Sequence, residues 1–461
     1  MKKRYIIYFL LLISGYTFAT HNVSGVITWQ HLGGLNYRIR ITTLTEINSP
    51  GGNADRCKLT LYINHGDSLV LPRINGPLSA GLGFCAGTHD GVAFSSSRQL
   101  NVYETTYLFP CEGKFNLSCY DPNRNAGIIN IPNSVNYPMY FESEIIVPLA
   151  NYSCLQTSPD LDLNDIILSN QPNQKFYPIV YNSKGDSLVY SLVPCQYTAG
   201  QNIPGYSFAS FSINPNTGEV KSNNSIIGQY DLCAKIKIYR NTEYIGSINY
   251  DHSIRIISTT YSPAFSAFAS NLTPVNSIFQ IGSSQTLTLS GTTQYGNDIY
   301  TLYSELPSSV TTFSSSFSSY TISVTYSLAL ARKQPYKLYL NSRNPVAPGG
   351  GKDTLIRIQM TGSPTNTCSL MGITTTTCDV SVKENHLQQY LFSIYPSITS
   401  DKLYIKGEQP KKLMIIDITG RLIETILIND AIDVENFIAG VYILWVTDPY
   451  NQNHYYKFVK R

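Results

Sequence analysis

Residues 228–239 read GQYDLCAKIKIY, with Tyr230, Leu232, Ala234, Ile236 and Ile238 alternating against Asp231, Cys233, Lys235 and Lys237. A period of two belongs to an extended strand, whose successive side chains point to opposite faces. It predicts one face on a core and the other toward water. The same spacing recurs at Tyr37, Ile39 and Ile41, at Leu59, Leu61 and Ile63, and at Ile322, Val324, Tyr326 and Leu328; it is looser at Leu355, Ile358 and Met360. Ser, Thr, Asn, Gly and Pro punctuate these runs at the short intervals of a sandwich, and no stretch holds a 3.6-residue period over three turns. The reading is all-β throughout.

The first residues, MKKRYIIYFLLLISGYTFAT, combine a basic start with an apolar run too short to span a bilayer and small residues at Thr17 and Ala19. That is the pattern of a secretory leader over 1–19. No later stretch has eighteen consecutive apolar residues, so no transmembrane span is expected after its removal. Without Lys2, Lys3 and Arg4 the chain carries 30 basic residues against 30 acidic ones. A neutral chain without a Lys/Arg-rich run gains little from counterion release, which argues against nucleic acid as a partner.

Nine cysteines in an exported chain leave at least one without an intrachain partner, and Cys111/Cys119 and Cys368/Cys378 are close enough to bridge a turn. None stands in CxxC spacing and no His accompanies a Cys pair, so no metal or other cofactor is expected. Punctuation predicts domains at 20–151, 152–258 and 259–383, a linker at 384–387 and a last domain at 388–461. The Ser-rich stretch TTFSSSFSSYTISV (311–324) alternates Phe, Tyr, Ile and Val and reads as a strand pair.

Gly-Asp-Ser-Leu occurs at 66–69 and again at 185–188, the signature of a family of serine esterases. A serine hydroxyl needs a histidine base that is itself oriented. In those enzymes the base lies in an Asp-x-x-His motif, and none of the seven histidines here has Asp three residues before it. Both serines lead into strand-like runs, LVLPR and LVYSLVP. The Gly-Asp pairs read as turns, and no catalytic residue is assigned.

Larger resemblances organise the chain. The Gly66-Asp67 turn with Thr106, Tyr107, Gly113 and Phe115 resembles polycystin-type (PKD) domains, which are immunoglobulin-like sandwiches; Ser68 stands where those carry a second Gly. The start ATHNVSG and the run DPNRNAGIINIPNSVNYPMYFES (121–143) resemble the N-terminal region of gliding-motility-associated surface proteins of Bacteroidota. That run holds the weak ligand candidates Asp121, Asn123, Arg124 and Asn125, with the alternative that Arg124 pairs with Glu142 or Glu144 and the Asn residues cap turns. YNSKGDSLVYSLV, FSINPNTGEV and GQYDLCAKIKIY resemble the cadherin-like repeats of bacterial surface proteins. Such repeats often hold Ca²⁺ on acidic oxygens, but Asn182 and Lys184 stand at the first two acidic positions, leaving Asp186.

The last segment, 388–461, resembles the C-terminal sorting domain of type IX secretion cargo. The match rests on Tyr395-Pro396, then Asp417, Gly420 and Arg421, then Gly440 and Tyr442, and a closing Lys457-Phe458-Val459-Lys460; Ser397-Ile398 departs from the usual Asn-Pro. A seven-strand-like sandwich is expected, with Leu413, Ile415 and Ile418 alternating on one strand and Val441, Ile443 and Trp445 on another. The resemblance implies the type IX translocon as a partner. Together these readings give tandem immunoglobulin-like β-sandwich domains in a secreted or outer-membrane surface-attached protein. Its expected role is non-enzymatic adhesion to an unknown glycan or protein. The alternatives are a polysaccharide-binding accessory module, with Trp29, Trp445 and tyrosines as sugar platforms, and an esterase of the Gly-Asp-Ser-Leu type.

Overall fold

The computed structural model describes residues 22–46, 56–64, 67–76, 92–93, 98–121, 124–148, 156–163, 166–258, 269–292, 298–344, 347–362, 392–395, 398–407, 409–417, 421–424, 427, 430–447 and 453–461. The leader at 1–19, the linker at 384–387, and Cys368 and Cys378 lie outside them. Two compact units, Met1–Asp379 and Val380–Arg461, are considered separately. Among the described residues there is no α-helix, and none long and apolar enough to cross a membrane.

The first unit opens with β1 (Asn22–Gly33), β2 (Asn36–Glu46), β3 (Lys58–Ile63), β4 (Ser68–Pro72), β5 (Val92–Ala93), β6 (Arg98–Leu108), β7 (Gly113–Asp121) and β8 (Met139–Val147). It continues with β9 (Asp160–Asp162), β10 (Ile166–Ser169), β11 (Gln174–Phe176), β12 (Ile179–Tyr181), β13 (Ser187–Val193), β14 (Gln196–Thr198), β15 (Gln201–Asn202), β16 (Phe211–Ile213), β17 (Val220–Ser222), β18 (Gly228–Arg240) and β19 (Glu243–Ile257). The period of two holds on β2. Tyr37, Ile39 and Ile41 of β2 are fully buried while Arg40 turns outward to Glu104.

Residues 20–151 and 152–258, expected as separate domains, share one 12-stranded sheet. Its spine is β19. Along one edge β19 pairs with β18 over nearly its whole length. Along the other it takes β8 at Gly246–Ile248, β1 at Tyr250–His252 and β10 at Ile254–Ile257, in succession. The sheet folds so that β1 meets β8 closely: a Cβ at Gly25 would collide with the Phe141 ring. Trp29, Tyr37, Phe109 and Phe115 fill this interior in a chain of ring contacts 4.5–6.2 Å apart.

The third segment carries β20 (Ala269–Ser270), β21 (Phe279–Ile281), β22 (Thr286–Thr292), β23 (Ile299–Ser304), β24 (Thr311–Ser315), β25 (Ser319–Thr325), β26 (Tyr336–Asn344) and β27 (Ala347–Met360). Two four-stranded sheets, β20-β22-β25-β24 and β21-β27-β26-β23, enclose one core that includes Leu289, Ile322, Val324, Leu340 and Ile358. The Ser-rich stretch is the antiparallel pair β24–β25. The predicted alternation stops short of Leu328, which lies exposed in a 3-10 turn, Leu328–Leu330.

The second unit carries β28 (Phe392–Tyr395), β29 (Ile398–Thr399), β30 (Lys402–Gly407), β31 (Lys412–Asp417), β32 (Leu422–Glu424), β33 (Ala431–Asp433), β34 (Gly440–Thr447) and β35 (Asn453–Lys460). A 3-stranded and a 5-stranded sheet replace the expected seven strands. Leu413 and Ile415 enter the core as expected, and Ile418 lies outside the described residues. On β34 the facing is opposite to the expectation: Tyr442, Leu444 and Val446 point inward, leaving Val441 and Ile443 exposed. Both sets are apolar, so period alone does not choose. The stacking of Tyr442 on Phe458, at 5.5 Å, fixes the choice.

Candidate functional site

The polar face of β18 is where structure and sequence part. Asp231 and Cys233 occupy the face read as solvent-directed, yet both are buried. The segment between β7 and β8 folds over them: Ile128 forms a parallel bridge with Gln229, and Ile128 and Ile131 pack on Cys195, Cys233 and Ile203. Beyond this cover the same face is open, and Lys237 is exposed.

Beneath the cover lies Arg124, with no exposed surface. Its Nη1 donates to Asp231 Oδ2 and, at 3.2 Å, to Asp251 Oδ1; its Nη2 donates to Asp251 Oδ2 and, at 3.3 Å, to the Pro138 carbonyl. The carboxylates come from adjacent strands, since Asp231 sits opposite Ser253 and Asp251 opposite Cys233 in the β18–β19 ladder. Ser253 donates to Asp231 Oδ1 and receives from Gln229 Nε2 at 2.8 Å. Ser24 Oγ donates to the Asp251 carbonyl at 2.9 Å and lies 2.8 Å from His252 Nδ1. Burial pushes the Asp251 carboxyl up to about 6, against the attraction of Arg124 and with help from the charge of Asp231. The arrangement is a buried cluster of one guanidinium and two carboxylates, which joins β1, β18, β19 and the 124–137 cover.

Of the four ligand candidates, the structure brings none to a common open site. Asp121 is 3% exposed and both its oxygens accept from Arg56, at 2.9 and 2.8 Å. Asn123 lies outside the described residues. Asn125 is buried, and its carbonyl accepts from Ser134 Oγ at 2.5 Å. The pairing of Arg124 with Glu142 or Glu144 is corrected: Glu142 accepts from Tyr140 and Asn249, and Glu144 pairs with Lys114. Asp231 and Asp251, 107 and 127 residues from Arg124, are the partners that the sequence did not point to.

Ser68 and Ser187 are strand entries, and Gly66 lies outside the described residues. Ser68 opens β4 opposite Tyr62, and Tyr107 donates to Asp67 at 2.9 Å, bracing the corner. Ser187 opens β13 opposite Tyr239. The second turn does not fit a divalent cation. Both Asp186 oxygens are taken by Arg240, at 2.8 and 2.9 Å, and the Asn182 side chain is spent on the Asp186 backbone. Downstream, NPNTG makes the hairpin expected of it, with Gly218 at φ +77° between β16 and β17.

Cysteine pairing differs from the sequence expectation, and the Cys368/Cys378 pair lies outside the described residues. Cys195 and Cys233 form a disulfide, and Cys57 and Cys111 are each disulfide-bonded. The bridge between Cys111 and Cys119 is overturned: Cys119 is free, and points from β7 into the core. Burial pushes its thiol well above the usual range. The Cys195 and Cys233 sulfurs cluster with the Asp251 carboxylate, but the sulfurs bond each other and Asp251 accepts from Arg124, leaving no donor set for a metal.

In the second unit, Asp417 and Arg421 close the turn after β31. Arg421 N and Nε donate to the Asp417 carboxylate at 3.0 and 3.1 Å, and Asp417 N donates to the Arg421 carbonyl at 3.1 Å. Gly420 lies outside the described residues. Gly440 begins β34 opposite Lys460. Tyr442 is buried, donates to the Ile438 carbonyl at 2.8 Å, and packs against Phe437 and Phe458. Lys457 sits opposite Ile443 in the β34–β35 ladder, and Lys460 is mostly buried, with Nζ 2.6 Å from the Arg461 carbonyl. The motif residues thus make turns, a core anchor and a sheet ladder.

Residues 393–461 match the secretion system C-terminal sorting domain. The match takes in every motif position from Tyr395 to Lys460, and it marks the chain as cargo of the type IX secretion system. No curated protein resembles the chain in sequence. Solved structures similar to it include Drosophila N-cadherin EC1-4, at 11% identity over 89% of this chain and 94% of that one, TM-score 0.18. Others are the N-terminal four Ig domains of Dscam1 isoform 4.44 (12%, 85% and 95%, TM-score 0.18) and mouse cadherin-23 EC22-24 (16%, 58% and 81%, TM-score 0.17). At these scores the overlays add nothing to the fold, which rests on the ladders above.

Proposed function

We propose that this is a non-enzymatic contact protein of the cell surface, carried across the outer membrane by the type IX translocon and retained there for adhesion. The observation that supports it is the sorting domain at 393–461. The first unit fits that role because the buried Arg124 and Arg240 pair with carboxylates of the chain itself and its two candidate nucleophiles open strands β4 and β13. Domain boundaries at 20–151, 152–258 and 259–383 are part of this reading, with the first two joined through β19. So is kinship with gliding-motility-associated surface proteins. Cell fractionation with terminal sequencing tests it, comparing the full chain with one truncated before Leu387. The full chain should reach the surface processed near that joint, with the truncation held in the periplasm. Equal export of both, with Arg461 retained, would overturn the reading.

One observation favours polysaccharide as the ligand. Tyr62 and Tyr120 stack on neighbouring strands at 5.4 Å, are 38% and 49% exposed, and offer an aromatic edge on the outer sheet face. Trp29, named as a sugar platform from sequence, lies in the core and is withdrawn; Trp445 is half-buried. Glycan-array binding that survives replacement of both tyrosines by Ala would remove this second reading.

A further inference from the structure

The second Gly-Asp turn is gripped by the third segment. Asn182 donates its backbone N–H to Glu305 Oε1 at 2.9 Å, and its carbonyl accepts from Arg332 Nη1 at 2.8 Å. Arg332 and Glu305 pair with each other at 2.6 Å, and Glu305 Oε2 also accepts from Lys337 N at 2.8 Å. The guanidinium donates further to the Gln334 and Pro335 carbonyls and lies 3.5 Å over the Tyr336 ring. It is therefore oriented by its own segment before it meets Asn182. Gly185, at φ +68°, makes room for it: a Cβ there would come within 2.7 Å of Arg332 Cδ. Around this contact Lys337 Nζ donates to Tyr190 OH at 2.7 Å, and Tyr177, Ile179 and Tyr339 form an apolar seam between the segments.

We infer that Arg332 is the built-in cation of this joint, locking residues 166–258 and 269–362 into one rigid body without a divalent ion. The chemistry supports it. A guanidinium has fixed donors that match a carbonyl and a carboxylate at once, and it is tethered, so it costs no binding entropy from solution. The pair is nearly desolvated, with side chains 12% and 2% exposed, so salt screens it weakly. The carboxylate that a cation would need, Asp186, already belongs to Arg240. This inference is independent of the export reading.

The test is a pair distance on the purified full chain, with nitroxides at Lys221→Cys and Ser315→Cys, exposed positions on β17 and β24. One narrow distance is expected, unchanged by EDTA or by added Ca²⁺. Arg332→Ala and Gly185→Ala should each lose it and give a broad distribution. Glu305→Gln, which keeps the shape and removes the charge, provides the check should Arg332→Ala not fold, and it too should broaden the distance. A distance that stays narrow in Glu305→Gln and Arg332→Ala, or that EDTA broadens in the parent chain, overturns the inference.

Discussion

Asn130 and Asp231, 101 residues apart, exchange two hydrogen bonds: Asn130 Nδ2 to the Asp231 carbonyl at 2.7 Å, and Asp231 N to Asn130 Oδ1 at 2.9 Å. An amide side chain has thereby taken the place of a neighbouring strand along the edge of β18 that β13 leaves open beyond Cys233, which is how the 124–137 segment is held down. Arg124 completes the seal. Its removal leaves two buried carboxylates without a counter-charge, so Arg124→Ala should cost roughly 3–5 kcal/mol. Asn130→Ala, which takes a partner from one backbone N–H and from the Asp231 and Ser207 carbonyls, should cost about 1–3 kcal/mol. Chemical denaturation of the full chain measures both. A loss under about 1 kcal/mol for Arg124→Ala would show that the hub does not hold the cover.

The same hub makes stability depend on pH. One guanidinium faces two carboxylates, with the His252 ring and the Tyr206 hydroxyl nearby. Asp251 is raised to about 6, burial being the main cause. The folded chain therefore holds a proton that the unfolded chain, with an Asp near 3.9, has already released. The contribution is fully present below about pH 4 and is lost as pH rises through about 6. Asp251→Asn fixes the neutral form and leaves Arg124 with Asp231 alone. Its stability relative to the parent chain should rise between pH 4 and pH 7. Parallel pH curves for the two proteins would exclude Asp251 as the titrating group.

How much of this was legible depends on whether a residue's fate is set by its near neighbours. The ladder of β2 was, because Arg38 and Arg40 can only face water once Tyr37, Ile39 and Ile41 enter the core. Asp231 and Cys233 were not, because their burial is imposed by a cover more than 90 residues upstream whose contact leaves no trace in period two. The Arg124 run was visible as an unusual cluster of Arg, Asn and Asp, but its partners were sought within the segment. The share of β19 between two expected domains was hidden for a related reason. Chain order assigns a strand to one segment, whereas hydrogen bonding has two edges to fill, and β8 and β1 fill the second. On β34 the two faces carry equally apolar side chains, and only the aromatic partners of Tyr442 decide which one is inward.

The Cys195–Cys233 bridge closes a loop across 38 residues and anchors the strands beneath the cover. On chain-entropy grounds its loss should cost about 4 kcal/mol, with wide scatter for native-state effects. Replacing both cysteines by Ser should lower the denaturation midpoint and raise hydrogen exchange at the Ile129 and Asp231 amides in particular. Cys119, buried and held as the thiol, should resist iodoacetamide until the chain unfolds. Alkylation of Cys119 in the native protein would contradict its place in the core.

Tyr442 separates stability of the sorting unit from recognition by the export machinery. Its ring lies between Phe437 and Phe458 and its hydroxyl reaches the Ile438 carbonyl. Tyr442→Phe keeps the stack and loses one hydrogen bond, a cost of about 1 kcal/mol. Tyr442→Ala opens a cavity worth roughly 3–5 kcal/mol. Hydrogen exchange on the full chain should show that cost confined to 392–461, with the first unit unchanged. Export should then follow stability, near parental for Phe and sharply reduced for Ala. If Tyr442→Phe abolished export while the unit stayed folded, the hydroxyl itself would be part of what the translocon reads.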